Sequence, residues 1–126
     1  MKAFRNRRKT GAQAEDLALA FLRARGLKLR ARNFSCRSGE IDLIMDHGDS
    51  LVFIEVRYRR RDDYGGGLES VDARKRARIV RCARFYLHSH EKLNGRPARF
   101  DVVAVSPGQR PGEPRIHWIP NAFEAF

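Results

Sequence analysis

Residues 39–60 read GEIDLIMDHGDSLVFIEVRYRR, and this stretch decides the fold. Two apolar runs, residues 41–45 and 51–56, are joined by the polar segment 46–50. Short apolar runs that are bounded by Gly, Asp and Ser are typical of strands joined in a hairpin. The stretch therefore predicts a β-hairpin at the centre of a sheet.

The register of this hairpin decides which charged side chains meet. Successive side chains of a strand point to opposite faces, and a Gly-Asp pair at residues 48–49 suits a two-residue turn. With that turn, Asp42 lies directly opposite Glu55, on the same face. Glu40 then lies opposite Arg57.

Two carboxylates that face each other destabilise a sheet unless something compensates their charge. A divalent cation would do so, and oxygen ligands of this kind suit Mg²⁺ or Mn²⁺. Arg57 would then hold a phosphate oxygen. Two alternatives stay open, namely a surface ion cluster without metal and a one-residue slip in register that separates Asp42 from Glu55.

Two helices are expected outside the hairpin. Thr10 and Gln13 form a capping box, after which apolar residues recur at helical spacing until the stop signal Gly26. A second helix is predicted from an N-cap at Ser70 to about His88. Its apolar face consists of Ile79, Val80, Ala83, Tyr86 and Leu87, and Arg74, Arg78, Arg81 and Arg84 lie on the opposite face.

The remaining pattern predicts short strands and loops. Residues 27–32 alternate between apolar and basic side chains, as expected of an edge strand, and residues 100–105 and 116–119 are further strands. A glycine-rich basic loop is expected at residues 59–67. A chain of 126 residues is one domain by length, so we expect a single mixed α/β domain at residues 10–126 behind a flexible basic arm at residues 1–9.

Charge points to a polyanionic partner. The chain holds 26 Lys and Arg against 15 Asp and Glu, a formal charge of +11, and such a field attracts nucleic acid. No apolar run approaches the ~20 residues that span a bilayer, so no membrane partner is expected. No signal peptide is recognisable, and two distant cysteines without a metal or disulfide pattern are expected to be ordinary thiols in the cytoplasm.

Phosphate contacts are expected from the loop and from the second helix. The residues are Arg59, Arg60, Arg61, Arg74, Lys75, Arg78 and Arg81. No motif that reads bases is present, so any preference should be for the shape of the nucleic acid, such as branches, ends or single strands. DNA is the expected partner, and a positive surface that follows RNA is the alternative.

Three motifs resemble those of the YraN-like family of small uncharacterised bacterial proteins. They are GEIDLI at residues 39–44, VFIEVRYR at residues 52–59 and RFDVV at residues 99–103. Residues 11–18, with Glu15, and Lys75 match the pattern in order. The resemblance covers residues 10–105.

This family is similar to the restriction-endonuclease-like superfamily, which includes Holliday-junction resolvases. The resemblance implies a central mixed β-sheet flanked by helices. It also implies that Asp42 and Glu55 bind metal, that Glu15 is a third acid, and that Arg57 occupies the position of the superfamily's catalytic lysine. Arg cannot act as a general base, so water activation would rest on the metal alone or on another group, for which Lys75 is a candidate.

Two functions remain open at this stage. The first is a Mg²⁺ or Mn²⁺-dependent nuclease that hydrolyses phosphodiester bonds in structured or branched DNA. Glu40 would either support this site by pairing with Arg57 or only cap the strand. The second is a non-catalytic nucleic-acid-binding module with a nuclease-like fold, in DNA repair, in recombination or associated with RNA. A homodimer would suit a symmetric junction, by analogy with the superfamily.

Overall fold

The computed structural model describes residues 7–59, 72–110 and 112–124, and for residues 7–10 it describes the backbone. The helices are α1 (Arg7–Ala24) and α2 (Ala73–Ser89). The strands are β1 (Lys28–Cys36), β2 (Gly39–His47), β3 (Ser50–Tyr58), β4 (Ala98–Ser106) and β5 (Arg115–Phe123). A short 3-10 turn, Glu91–Leu93, follows α2.

The five strands form one sheet in the order β1-β2-β3-β4-β5. Neighbouring strands are antiparallel except β3 and β4, which are parallel. A parallel pair needs a long crossover connection, and here α2 lies in that connection. The predicted single α/β domain with a mixed sheet is confirmed, and the architecture is compatible with a restriction-endonuclease-like fold.

The hairpin at the middle of the sheet has the predicted turn. His47 pairs with Ser50, which leaves residues 48–49 as the two-residue loop, and Gly48 has the positive φ that such turns require. The edge strand β1 and the strands β4 and β5 are also confirmed. Each is longer than its apolar pattern, because backbone pairing continues into polar residues.

The two helices cover opposite faces of the sheet. Side chains of α1 pack against Leu43, Met45 and Val52, whereas side chains of α2 pack against Ile44 and Phe53. Val52 and Phe53 are neighbours in β3 and both are fully buried, so β3 contributes to both cores. Burial of a side chain as large as Phe53 stabilises the fold by roughly 1.5–3 kcal/mol.

Both helix starts differ from the sequence predictions. Helix α1 begins at Arg7, so Thr10 lies inside the helix and is not its N-cap. Lys and Arg are good helix formers, and this preference carries the helix back through part of the predicted basic arm. Helix α2 has Asp72 as its N-cap, whose carboxylate accepts a hydrogen bond from Lys75 N. Ser70 lies outside the described residues.

The two helix ends and faces agree with prediction. Gly26, two residues after the end of α1, has a φ of 95° and acts as the stop. On α2, Ile79, Ala83 and Tyr86 are buried as expected.

Both cysteines carry free thiols. No helix in the described part of the chain is long and apolar enough to cross a membrane.

A buried carboxylate joins β4 to β5. Asp101 is 0% exposed, and its two oxygens accept four hydrogen bonds. Arg99 donates to both oxygens at 2.9 and 3.2 Å, Trp118 Nε1 donates at 2.9 Å, and the Asn121 backbone N–H donates at 2.9 Å. The register of the two strands shifts between Phe100 and Val102, so the bulge lies at Asp101.

Candidate active site

The site lies where β2 and β3 separate. The paired residues of the hairpin end at Leu43 opposite Ile54. At the next position the Asp42 carboxylate takes the place of a backbone acceptor, because its Oδ2 accepts a hydrogen bond of 2.8 Å from Val56 N. Asp42 and Glu55 are therefore not a cross-strand pair of a continuous ladder, although the predicted hairpin register is correct.

The edge strand is irregular at the same level. Asn33 has a φ of 53°, in the left-handed region that Asn tolerates better than most residues. It lies between the paired positions Arg32 opposite Leu43 and Phe34 opposite Ile41. Asn33 and Asp42 thus mark one break that runs across both strands.

This break changes the side-chain alternation of β2. Ile41 and Ile44 are three residues apart, yet both pack against α2, whereas Leu43 packs against α1. Strict alternation would put Ile41 and Ile44 on opposite faces. The change of face occurs at Asp42, which is half-buried in the gap between the strands.

Glu55 brings two cations to the same place. Glu55 is 6% exposed, and its Oε2 lies 2.9 Å from Lys75 Nζ and 3.2 Å from Arg57 Nη1. Lys75 reaches in from the first turn of α2, and Arg57 is two residues further along β3. The structure therefore joins the lysine and the arginine that sequence analysis named separately.

Asp42 holds its proton unusually tightly. Burial, followed by the negative charge of Glu55, raises the pKa of Asp42 to about 8. The hydrogen bond from Val56 N opposes this rise, and the charges of Glu15 and Glu40 add to it. A raised carboxyl pKa of this origin is common where acids gather in functional sites.

Glu15 approaches from α1 but is engaged by β1. Its Oε1 accepts hydrogen bonds from Arg32 Nε at 3.2 Å and from Asn33 Nδ2 at 3.1 Å, and Oε2 also lies 3.1 Å from that nitrogen. Glu15 is near enough to repel the charge of Asp42. Glu40 is exposed and pairs with Ser35 of β1.

Asp42 and Glu55 suit a hard divalent cation that takes only one or two of its ligands from the protein. Within residues 7–59, 72–110 and 112–124, no group of three or more His, Cys, Asp or Glu could hold a metal ion. Mg²⁺ and Mn²⁺ nevertheless bind through one or two carboxylates and complete their shell with water and phosphate oxygens. Asp42 and Glu55 provide two carboxylates, and burial and the charge of Glu55 oppose the ionisation of Asp42. The fit is therefore acceptable.

The predicted phosphate-binding residues that the structure describes lie on α2 and directly after β3. Arg74, Arg78 and Arg81 are exposed on α2, and Arg81 Nε donates to Ser38 Oγ at 3.4 Å. Arg59 follows β3, and its Nε is buried without a hydrogen-bond partner among the described residues. Arg60 and Arg61 lie outside the described residues.

Sequence reasoning did not find the part played by Asn33 and Arg32. They tie Glu15 to β1, and Asn33 marks the break in the strand. The one available signal was an Asn directly after the predicted strand, because Asn is unfavourable in strands and tolerates a positive φ. Sequence reasoning also did not single out Phe85, which is 54% exposed.

Comparison with known proteins gives one consistent family. The chain matches the model described as "Uncharacterised protein family UPF0102" over residues 14–105. A UPF0102 protein of Pseudomonas aeruginosa strain LESB58 is 49% identical over 118 residues, which cover 94% of each chain. Similar proteins occur in Stutzerimonas stutzeri, at 50% identity over 92% of this chain and 95% of the relative, and in Pseudomonas fluorescens, at 44% over 92% and 94%.

Proposed function

The chain belongs to the uncharacterised protein family UPF0102, the YraN-like family that its motifs predicted, and we propose that it is a metal-dependent nuclease acting on DNA. One observation carries this proposal. Where β2 and β3 separate, Asp42 lies beside Glu55, and Glu55 holds both Lys75 and Arg57 within 3.2 Å. Acids with adjoining cations at a strand break suit phosphodiester hydrolysis.

Asp42 and Glu55 would hold Mg²⁺ or Mn²⁺. When bound, such an ion supplies positive charge that offsets the negative charge gathering on a phosphodiester during hydrolysis. The protein keeps both carboxylates in place by its own contacts. Val56 N fixes one oxygen of Asp42, and Lys75 and Arg57 fix one oxygen of Glu55.

Arg57 and Lys75 divide the role of the superfamily's lysine. Arg57 presents a planar guanidinium fork that suits phosphate oxygens, and an arginine does not serve as a general base. Lys75 supplies a lysine amine, and its Nζ lies 2.9 Å from the same carboxylate oxygen that Arg57 contacts. Lys75 therefore places an ammonium group from α2 where the motif on β3 has none.

The surrounding charge favours a polynucleotide. The chain carries a formal charge of +11, and exposed arginines of α2 adjoin Lys75. Backbone phosphates would bind these side chains without sequence preference. Structured or branched DNA is the substrate that this arrangement suits, and the cytoplasm of a bacterium is where such DNA is found.

A cleavage assay tests the proposal. Labelled single-stranded, duplex, flapped and four-way-junction DNA would be incubated with wild-type protein and Mg²⁺, Mn²⁺ or EDTA. We expect metal-dependent products that disappear in Asp42→Asn and Glu55→Gln. Asp46→Asn is the matched control, because Asp46 lies in the same strand but forms surface ion pairs with Arg30 and Arg96.

The outcomes separate clearly. Cleavage that persists in both Asp42→Asn and Glu55→Gln would defeat the site assignment. Products that disappear equally in Asp46→Asn would show that the loss is not specific to the strand break. A structured RNA in the same panel identifies the alternative substrate.

A second candidate is a binding module that does not cleave. The observation that favours it is Arg57 at the position of the superfamily's lysine. In this case wild-type protein would bind branched DNA at physiological salt without products under any metal. Arg57→Lys would then be the informative variant, since products formed by this variant alone would identify Arg57 as the cause.

Dimerisation remains a prediction within either proposal. A homodimer would present two sites to a two-fold symmetric junction. Sedimentation of the protein with and without a four-way junction would test it, with one monomer per junction as the contradicting result.

A further inference from the structure

One exposed stripe runs along α2, apart from the face that packs on the sheet. At 100° per residue, four side chains fall within about 60° of one another around the helix axis. They are Arg74, Arg78, Arg81 and Phe85. All four are exposed, and we call them the α2 stripe.

The α2 stripe begins next to the candidate site. Arg74 adjoins Lys75, whose Nζ lies 2.9 Å from Glu55 Oε2. Phe85 lies 11 residues beyond Arg74, which is about 16 Å along the helix axis. A chain that lay on the stripe would therefore lead directly to the two carboxylates.

Phe85 is the most exposed large apolar side chain recorded in the described residues, at 54%. Its ring is supported by Phe34, with ring centroids 6.2 Å apart and planes tilted by 30°. Phe34 in turn contacts the buried ring of Tyr86 edge-on at 5.0 Å. The ring of Phe85 is thus exposed and packs against Phe34, which itself packs against a buried ring.

The turn between β1 and β2 borders the stripe. Arg81 Nε donates to Ser38 Oγ at 3.4 Å. A Cβ at Gly39 would lie 3.6 Å from the Arg78 Cβ, so this backbone passes close to the helix. The backbone of the turn between β1 and β2 therefore runs along one side of the stripe.

Chemistry favours a single strand of nucleic acid as the occupant. Helix α2, from Ala73 to Ser89, contains no Asp or Glu, so the stripe is uniformly basic up to Phe85. Phosphates of a polynucleotide bind Arg, and unpaired bases stack on exposed aromatic rings. A duplex covers its bases, so it could use the arginines but not the ring.

We propose that the α2 stripe binds single-stranded DNA, with phosphates on Arg74, Arg78 and Arg81 and a base stacked on Phe85. The proposal rests on the proposed function for its link to cleavage. It names the substrate class as DNA in which a single-stranded segment adjoins the bond to be cut. Flaps and branched molecules belong to this class, and uninterrupted duplex does not.

Binding without metal tests the stripe independently of cleavage. Fluorescence anisotropy in EDTA would compare a labelled oligo-dT of about 16 nucleotides, the upper end of common site sizes, with a duplex of the same length. Phe85→Leu keeps an apolar side chain but removes the ring. We expect Phe85→Leu to weaken binding of the single strand about fivefold to a hundredfold, with less than a twofold change for the duplex.

Two further variants complete the design. Phe85→Trp should bind the single strand at least as tightly as wild type, because Trp stacks well. Arg81→Gln should weaken both DNA forms and lower the salt dependence of binding, whereas the matched charge change Arg23→Gln, on α1 across the sheet, should have little effect.

The results are distinguishable from those of the cleavage assay. Equal binding of oligo-dT by Phe85→Leu and wild type would overturn the stripe, even if metal-dependent products form. A specific loss in Phe85→Leu with recovery in Phe85→Trp would support the stripe, even if no products form. Equal losses for single strand and duplex in Phe85→Leu would also overturn it.

Discussion

Asp42 and Asp101 are both aspartates of the same sheet, and their surroundings are opposite. Asp101 is fully enclosed and accepts four hydrogen bonds, two of them from the guanidinium of Arg99. Asp42 accepts one from Val56 N and lies beside Glu55, which repels it. One carboxylate has a full set of donors, and the other lies among acids.

The difference separates a structural carboxylate, Asp101, from a candidate cation ligand, Asp42. Asp101 ties β4 to β5 and needs nothing from solution, because protein donors satisfy both oxygens. Asp42 carries a charge that the fold opposes, and burial raises its pKa to about 8. A group that destabilises its own charged form in the free protein is a candidate for binding a cation.

The same substitution at the two positions should have opposite effects on stability. Asp101→Asn puts an amide where Arg99 and Trp118 donate, and we expect it to lower the free energy of unfolding by about 3–5 kcal/mol. Asp42→Asn at pH 8.5 without metal should raise it, because the amide oxygen can still accept from Val56 N. Urea denaturation of both variants measures this, and equal destabilisation would remove the contrast.

Stability of the wild-type protein should depend on pH through Asp42. Between pH 4 and pH 8 the folded state keeps a proton on Asp42 that the unfolded state releases, so stability falls as pH rises. The expected slope in EDTA is on the order of 1 kcal/mol per pH unit. Denaturation across this range should show the slope in wild type and lose it in Asp42→Asn, and a slope that persists in Asp42→Asn would point to another group.

Metal should stabilise the protein through the same acids. Ions that bind the folded state alone add about 2.7 kcal/mol at a hundred times their dissociation constant. We expect Mn²⁺ to raise the melting temperature more at pH 8 than at pH 6, because Asp42 must release its proton. Asp42→Asn should not respond, and a normal response in that variant would place the ion elsewhere.

A third aspartate, Asp46, provides a comparison for the contribution of a partly exposed ion pair to stability. Burial pushes the pKa of Asp46 up, but the hydrogen bonds and charges of Arg30 and Arg96 outweigh it and hold the pKa below its ordinary value. These pairs are partly exposed, so Asp46→Asn should cost less than about 1 kcal/mol. Thermal unfolding in low and high salt checks this, and a loss as large as that of Asp101→Asn would contradict it.

Most of the fold could be predicted because its pattern is local. The apolar runs at residues 41–45 and 51–56, with Gly48 between them, determine the hairpin and its register. Helix starts could not be predicted as well. Thr10 has the chemistry of an N-cap, but the basic residues before it continue the helix.

The site could be predicted in its members but not in its geometry. The spacing of Asp42 and Glu55 identified two acids on one hairpin, and the resemblance added Lys75. That the ladder stops at Leu43, and that Asn33 takes a positive φ at the same level, depends on how the strands pack against both helices. Alternation within one strand does not contain this information.

The crossover through α2 affects the order in which the parts of the candidate site come together during folding. A two-residue turn closes the hairpin with both acids, whereas Lys75 lies 20 residues after Glu55, in the crossover that leads to the parallel partner β4. Pairings between distant segments form late, since chain entropy opposes their closure. We therefore expect the hairpin that carries Asp42 and Glu55 to form before α2 brings Lys75 to Glu55.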